Sequence, residues 1–380
     1  MKKRVAYVII NGQVVVRRGK IMTEFPLDGA TVRVHSQFTG GNIIVDKVEG
    51  STVFVKCDLR TTTTDWFYWA FCVEGAQGKT LRFCFDVDRL GYYGPAISND
   101  LQSWRWFSEG GIDDHLSFSY TFKADENKVY FAHNMLYHPD RFFRFASQKG
   151  WDVNEFCVSE KGRSVPYITF GNGEKVILLT ARHHACEAPG NYVLEGVLDY
   201  LSTADILKYR FICVPFIDYD GVVDGDQGKN RAPHDHNRDY TENPIYATTR
   251  AMKAIVDSEP ICFAADFHAP WHYGGDHDFV FIVQNNPNKV DLYQEFGKML
   301  EENLTPNTLK YDRKNQTNWQ HETHRQFAGY TDQNTNCVVS FSLETTYFGE
   351  SDNIFTQARG VAFGRVFAKV MLEFLQKEIN

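Results

Sequence analysis

The chain has 380 residues, 43% of them apolar, with 30 Phe, 19 Tyr and 7 Trp. That is ample material for two domains with buried cores, and it excludes a disordered or fibrous chain. Its 40 Lys and Arg against 48 Asp and Glu leave a net charge of −8, so no basic excess marks a nucleic-acid binder.

The 8 cysteines are scattered, without a C-x-x-C pair, and read as reduced, buried thiols of a cytoplasmic protein. The start "MKKRVAYVIINGQ" is basic. Its apolar run breaks after about six residues, where an export signal needs about 7–15. No apolar stretch reaches the roughly 18 residues of a membrane span, so no membrane association is expected.

Taken in chain order, residues 1–125 read as strands. "VRVHSQFTGGNIIVDKVEGSTVFVKCDL" alternates apolar and polar positions between Gly and Asn turns, and "WFYWAFCVEG" and "KTLRFCFDV" are aromatic and β-branched. The expectation is an antiparallel β-sandwich. From 126 to 380 the pattern changes. "YHPDRFFRFASQKG" starts a helix whose Phe142, Phe143 and Phe145 can face a core. Strand-like and helix-like segments then alternate: "EKVILLTAR", "YVLEGVLDYL", "YRFICVPFI", "ENPIYATTRAMKAIVD", "CFAADFH", "DFVFIV", "KVDLYQEFGKMLEENL", "CVVSFSLETTYFG" and "RGVAFGRVFAKVMLEFLQKEI". Such alternation predicts an α/β domain with a mixed, partly parallel sheet covered by helices.

Four stretches carry residues suited to chemistry. In "ARHHACEAPGN", His184 and Glu187 stand three apart at the carboxyl end of a strand, where open α/β sheets place their ligand sites. An imidazole and a carboxylate at that spacing can reach one ion, and a mixed N/O set suits catalytic zinc. His183 is the competitor, one residue out of step and expected to face away. "FAADFHAPWHYGG" offers His268 as a third ligand, with Asp266, His272 and His277 nearby. Glu344 ends the apolar strand "VVSFSLETT", an expensive place for an unpaired carboxylate, and so is a candidate general base. "GKNRAPHDHNRDY" supplies Arg231, Asn237 and Arg238; guanidinium forks grip carboxylates. Two look-alikes are set aside. "HETH" at 321–324 lacks the spacing of a zinc helix and reads as a surface loop. "DYDGVVDGDQG" at 218–228 has Val223 where a calcium loop needs glycine.

In this order "ARHHACE", "NR…HNRDY", "ADFH" and "SLETTYFG" resemble the M14 zinc carboxypeptidases. The aromatic region before them resembles the cytosolic carboxypeptidase branch, the tubulin-deglutamylase type and its bacterial relatives. The resemblance implies one Zn2+ held by His184, Glu187 and His268. It implies an oxyanion arginine at Arg231, Asn237 and Arg238 on the substrate's terminal carboxylate, Glu344 as the base, and a substrate-covering tyrosine, for which Tyr330 is the candidate. The substrate would be a peptide or protein C-terminus. The branch usually has Pro-Gly where this chain has Ala185-Cys186, which places a thiol within the metal loop. An N-acyl-amino-acid deacylase of the aspartoacylase type shares some of these features, and a non-catalytic binding protein on the same scaffold is the remaining alternative.

Overall fold

A computed structural model describes residues 9–10, 13–14, 22–284, 286–315, 317–318 and 325–379. The basic start at residues 1–4 and the "HETH" loop lie outside the described residues. The chain forms two compact units: Met1–His138 with Val223–Gln227, and Pro139–Val222 with Gly228–Asn380.

In the first unit β1 (Ile9–Ile10) and β2 (Gln13–Val14) form an antiparallel ribbon. Ten further strands build two sheets: β3 (Met22–Leu27), β4 (Ala30–His35), β5 (Ile44–Glu49), β6 (Thr52–Lys56), β7 (Ala70–Glu74), β8 (Thr80–Phe85), β9 (Ala96–Ser98), β10 (Arg105–Trp106), β11 (Ser117–Thr121) and β12 (Lys128–Ala132). One sheet has the order β10-β9-β12-β7-β4-β3, the other β11-β8-β6-β5. Alternation buries one side of strands such as β6, β8 and β11, while β7 and β9 are buried on both. Val32, Val34, Phe71, Val73, Val129 and Phe131 meet Val53, Val55, Leu81, Phe83 and Phe118 in a single core. The expected sandwich is therefore present, with two corrections. β6 and β8 pair in parallel, because the chain between them crosses to the other sheet to make β7 and returns in its original direction. The boundary falls after His138, not at 125, because β12 pairs with both β7 and β9 of the first unit. Residues 223–227 join the same unit: Asn42 Nδ2 donates to the Gly225 carbonyl at 2.7 Å, and Arg60 Nη1 pairs with Asp226 at 2.6 Å. That accounts for the acidic segment resembling a calcium loop.

The second unit begins with α1 (Pro139–Gln148). It buries Phe142 and Ala146, one turn apart, and leaves Phe143 37% exposed, so only one of the three expected phenylalanines serves the core. An eight-stranded sheet follows, ordered β13-β14-β16-β15-β17-β20-β18-β19. Its strands are β13 (Asn154–Val158), β14 (Ser164–Phe170), β15 (Lys175–Ala181), β16 (Tyr209–Val214), β17 (Ile261–His268), β18 (Phe281–Gln284), β19 (Thr317–Asn318) and β20 (Val339–Glu344). β16, β15, β17 and β20 run parallel; β13 and β14 pair antiparallel to their neighbours, and β18 pairs antiparallel with β20 and parallel with β19. The helices are α2 (Pro189–Leu201), α3 (Tyr219–Asp224), α4 (Ala247–Ser258), α5 (Val290–Asn303), α6 (Phe327–Thr331) and α7 (Gln357–Ile379). α4 starts later than the sequence reading placed it. Pro244 disfavours helix before it, and Asp239 ties down the amides of Ile245 and Tyr246 at 2.9 Å each.

This parallel arrangement sets up the site. β15, β17 and β20 end side by side, with Ala181 paired to Phe267 and His268 to Glu344. Behind the sheet α2 and α7 cross where glycines allow their backbones to touch. A Cβ on Gly364 would lie 1.9 Å from the Val193 carbonyl oxygen, and one on Gly196 would lie 2.0 Å from that of Val361. Gly364→Ala should therefore force the helices apart at a cost of about 1–3 kcal/mol. A lowered urea midpoint with an unchanged m value would show it.

Candidate metal centre

β15 stops at Ala181 because Arg182 adopts a left-handed backbone, φ 62°. A non-glycine residue there carries strain, which its side chain offsets by donating from Nε to the Ala185 carbonyl at 2.8 Å and from Nη1 to Asn191 at 3.1 Å. The turn sends the two histidines in different directions. His183 lies between Asp266 (Nδ1 to Oδ1, 2.9 Å) and the Tyr240 hydroxyl (Nε2, 2.8 Å). His184 turns its Nδ1 toward Glu187 Oε1 at 2.9 Å.

Glu187 is fully buried and is the hub of the cluster. Its Oε2 meets His268 Nδ1 at 2.7 Å and accepts the Ala269 amide at 3.2 Å. Its Oε1 also meets Lys229 Nζ at 3.2 Å. His184, Glu187 and His268 each offer one ligand atom, all within 4.8 Å of one another. His268 is backed by a carboxylate on its other nitrogen, and a second carboxylate lies near that of His184. His268 Nε2 meets Asp266 Oδ2 at 2.5 Å, and His184 Nε2 lies 3.6 Å from Asp235 Oδ1. Such backing orients an imidazole and strengthens it as a donor. Two imidazole nitrogens and one carboxylate oxygen, each so oriented, fit a zinc-type ion.

The electrostatics follow from burial. Burial by itself would raise the Glu187 carboxyl, but His184, Lys229 and His268 hold it well below the usual range. Asp266 is likewise held low by His183 and His268, against its own burial. Glu344 has no such set of partners. Burial pushes its carboxyl up, the Glu187 charge adds to the rise, and His268, Lys229 and His184 oppose it. Its Oε2 is buried with no hydrogen-bond partner among the described residues. A carboxylate left unpartnered beside a metal triad is suited to exchanging a proton with a bound molecule.

The cationic loop closes over this edge. Arg231 Nη2 donates to Asp218 at 2.8 Å, and Asp218 also accepts the Gly221 amide at 2.9 Å. Asn237 reaches His268 Nε2 with its Nδ2 at 3.3 Å and accepts the Phe327 amide on Oδ1 at 3.0 Å. Arg238 donates to the Asn237 carbonyl at 2.9 Å. His236 is buried on Tyr246, ring centroids 3.7 Å apart, and that burial holds it down at about 4.

Tyr330 does not join the cluster. Its hydroxyl donates to Asp257 on α4 at 2.6 Å, and Lys253 lies 4.6 Å from its ring centroid. The cause is local: α6 lays Tyr330 against Tyr240 and α4. Cys186 is buried with its sulfur 3.8 Å from the Tyr347 hydroxyl and is not among the grouped ligand atoms. His272 packs on Tyr273 and Phe348, away from the ligand set. The sequence reading missed Lys229, Asp235 and Asp218, and gave Asp266 no role. Only Asp266 had a usable signal, since it lies two residues before His268 on one strand and shares its face. Another His/Cys/Glu grouping, His35, Cys72 and Glu74 in the first unit, already has its atoms engaged. His35 Nδ1 accepts the Gln37 amide at 3.1 Å and Glu74 pairs with Lys128 at 2.8 Å.

No family model matches the chain. In sequence it is similar to cytosolic carboxypeptidase 2 of Macaca fascicularis, 24% identical over 351 residues, 77% of this chain and 41% of that protein. It is also 27% identical over 259 residues to an uncharacterized protein of Zymomonas mobilis, 63% of this chain and 67% of that one. The chain thus spans less than half the length of the cytosolic carboxypeptidase it matches. In structure it resembles a metallo-carboxypeptidase of Burkholderia cenocepacia, with a TM-score of 0.75 at 17% identity over 91% of this chain and 99% of that one. It equally resembles one of Pseudomonas aeruginosa in complex with (2-guanidinoethylmercapto)succinic acid, with a TM-score of 0.75 at 19% identity over 91% and 100%. In sequence the chain is thus similar to cytosolic carboxypeptidases, and its fold is carboxypeptidase-like.

Asp266→Asn keeps the shape but removes the charge behind His268, and should weaken metal binding roughly 10–100-fold in a chelator competition. His236, held down by burial, binds a proton more readily in the unfolded chain. Its share of stability is therefore complete above the ordinary histidine range and is lost as pH falls from about 6.5 toward 4. His236→Gln should flatten that part of a stability–pH curve.

Proposed function

We propose that the chain is a zinc metallocarboxypeptidase that hydrolyses the C-terminal peptide bond of a peptide or protein. The observation carrying this reading is the edge made by β15, β17 and β20, where His184, Glu187 and His268 group their ligand atoms and Glu344 stands in register with His268. The mixed nitrogen and oxygen donor set suits zinc, and the three residues would hold one ion. When bound, zinc supplies a Lewis acid and a water acidic enough to act as nucleophile near neutral pH.

The chain's own groups supply the rest. Glu344, raised by burial and by Glu187, takes the proton of the attacking water and returns it to the departing amine. Arg231, fixed by Asp218, meets the negative charge that develops on the carbonyl oxygen. Arg238 takes the substrate's terminal carboxylate. Asn237, whose Oδ1 accepts the Phe327 amide, holds the 236–238 turn in place and lends its amide NH2 beside it. Recognition of the terminal carboxylate is what makes the reaction an exopeptidase one. Likeness to cytosolic carboxypeptidases supports a peptide or protein C-terminus as the substrate and the cytoplasm as the place of action. No described helix is long and apolar enough to cross a membrane.

Glu344→Gln should keep its metal and lose turnover by at least about 10³-fold, as expected when a proton-transferring group is removed. Hydrolysis near the wild-type rate would contradict the assignment. Free-acid peptides should lose one residue from the C-terminus while their amidated counterparts stay intact. Equal cleavage of both, or release of an acyl group from N-acyl amino acids alone, would overturn the exopeptidase reading.

A further inference from the structure

Lys229 is a cationic side chain in direct contact with a metal-ligand residue, and the mechanism above does not use it. Two observations place it there. The first is Gly228, φ 78°, whose backbone lies directly on the ligand loop: a Cβ at that position would come within 2.1 Å of the Ala185 amide nitrogen and 3.0 Å of His184 Cα. With no side chain at 228, the loop carrying Lys229 is seated against the residues that carry His184 and Glu187. The second is the ion pair itself, Lys229 Nζ to Glu187 Oε1 at 3.2 Å, on the same oxygen that meets His184. The carboxylate is fully buried, while the lysine side chain keeps 23% exposure, so its stem reaches in from the edge of the cluster. The ammonium group brings a positive charge onto that oxygen.

We infer that Lys229 is a positioning residue that weakens Glu187 as a metal ligand, so that the chain holds its metal less tightly and leaves that metal more electron-poor. This rests on the zinc reading given above. The reason is elementary. A carboxylate oxygen that shares its electron density with an ammonium has less to give an ion, and a fixed positive charge a few ångströms from a dication repels it. A lysine with a purely structural role would act in the opposite direction, since its loss would loosen the loop and weaken the site.

The test is zinc affinity, read by competition with a chromophoric chelator on the full chain after metal removal. Lys229→Gln and Lys229→Met should bind zinc at least roughly tenfold tighter than wild type, within the range that outer-shell partners exert on metal sites. Lys229→Arg, which keeps the charge, should stay close to wild type. Should Lys229→Met fail to fold, the Gln and Arg variants decide the matter alone. Equal or weaker zinc binding by Lys229→Gln overturns the inference and leaves the carboxypeptidase reading standing. Failure of the wild-type chain to bind zinc stoichiometrically overturns both.

Discussion

The site depends on one buried carboxylate. Glu187 is closed off from solvent and meets His184, His268, Lys229 and the Ala269 amide through its two oxygens. A bare carboxylate in such a place would be prohibitively costly, so the surrounding elements must deliver its partners. The strained Arg182 aims His184 at it, β17 brings His268, and Gly228 lets Lys229 approach. Asp235 and Asp266 then balance the imidazoles from behind. The result is a layered charge pattern of carboxylate, imidazole, carboxylate and cation.

The parallel sheet is what makes this assembly possible. Three strands distant in sequence end at one edge, so residues from 184 to 344 meet without long loops having to find one another. The glycine crossing of α2 and α7 packs the layer behind that edge. Glu344 departs from the pattern of partnered charge around Glu187. Its buried Oε2 lacks a partner among the described residues, and a group that the fold leaves unsatisfied is available to a substrate or a water.

Much of this was legible in the sequence, because local rules reported it. The period of the apolar residues gave the strands and helices of the α/β region, and turn residues marked the sandwich before it. His184, Glu187, His268 and Glu344 were legible because each follows an apolar strand, where a polar residue is conspicuous. What stayed hidden was either non-local or short. The β13–β14 hairpin lacked a clean alternation, the parallel β6–β8 pairing depends on which sheet β7 joins, and Asp235 and Lys229 sit in a polar loop where nothing distinguishes them from solvated neighbours. Tyr330, the tyrosine that the resemblance suggests as the substrate-covering one, hydrogen-bonds Asp257 through its hydroxyl. The left-handed turn at Arg182 leaves no trace in residue type at all.

The central claim is that the metal is held by two imidazoles and a carboxylate, with the neighbouring thiol of Cys186 left out. X-ray absorption at the zinc edge of the metal-loaded chain tests it most directly. The account predicts a first shell of nitrogen and oxygen only, at about 2.0–2.2 Å, with the multiple scattering of about two imidazoles. A sulfur shell at about 2.3 Å would put Cys186 on the metal and contradict it.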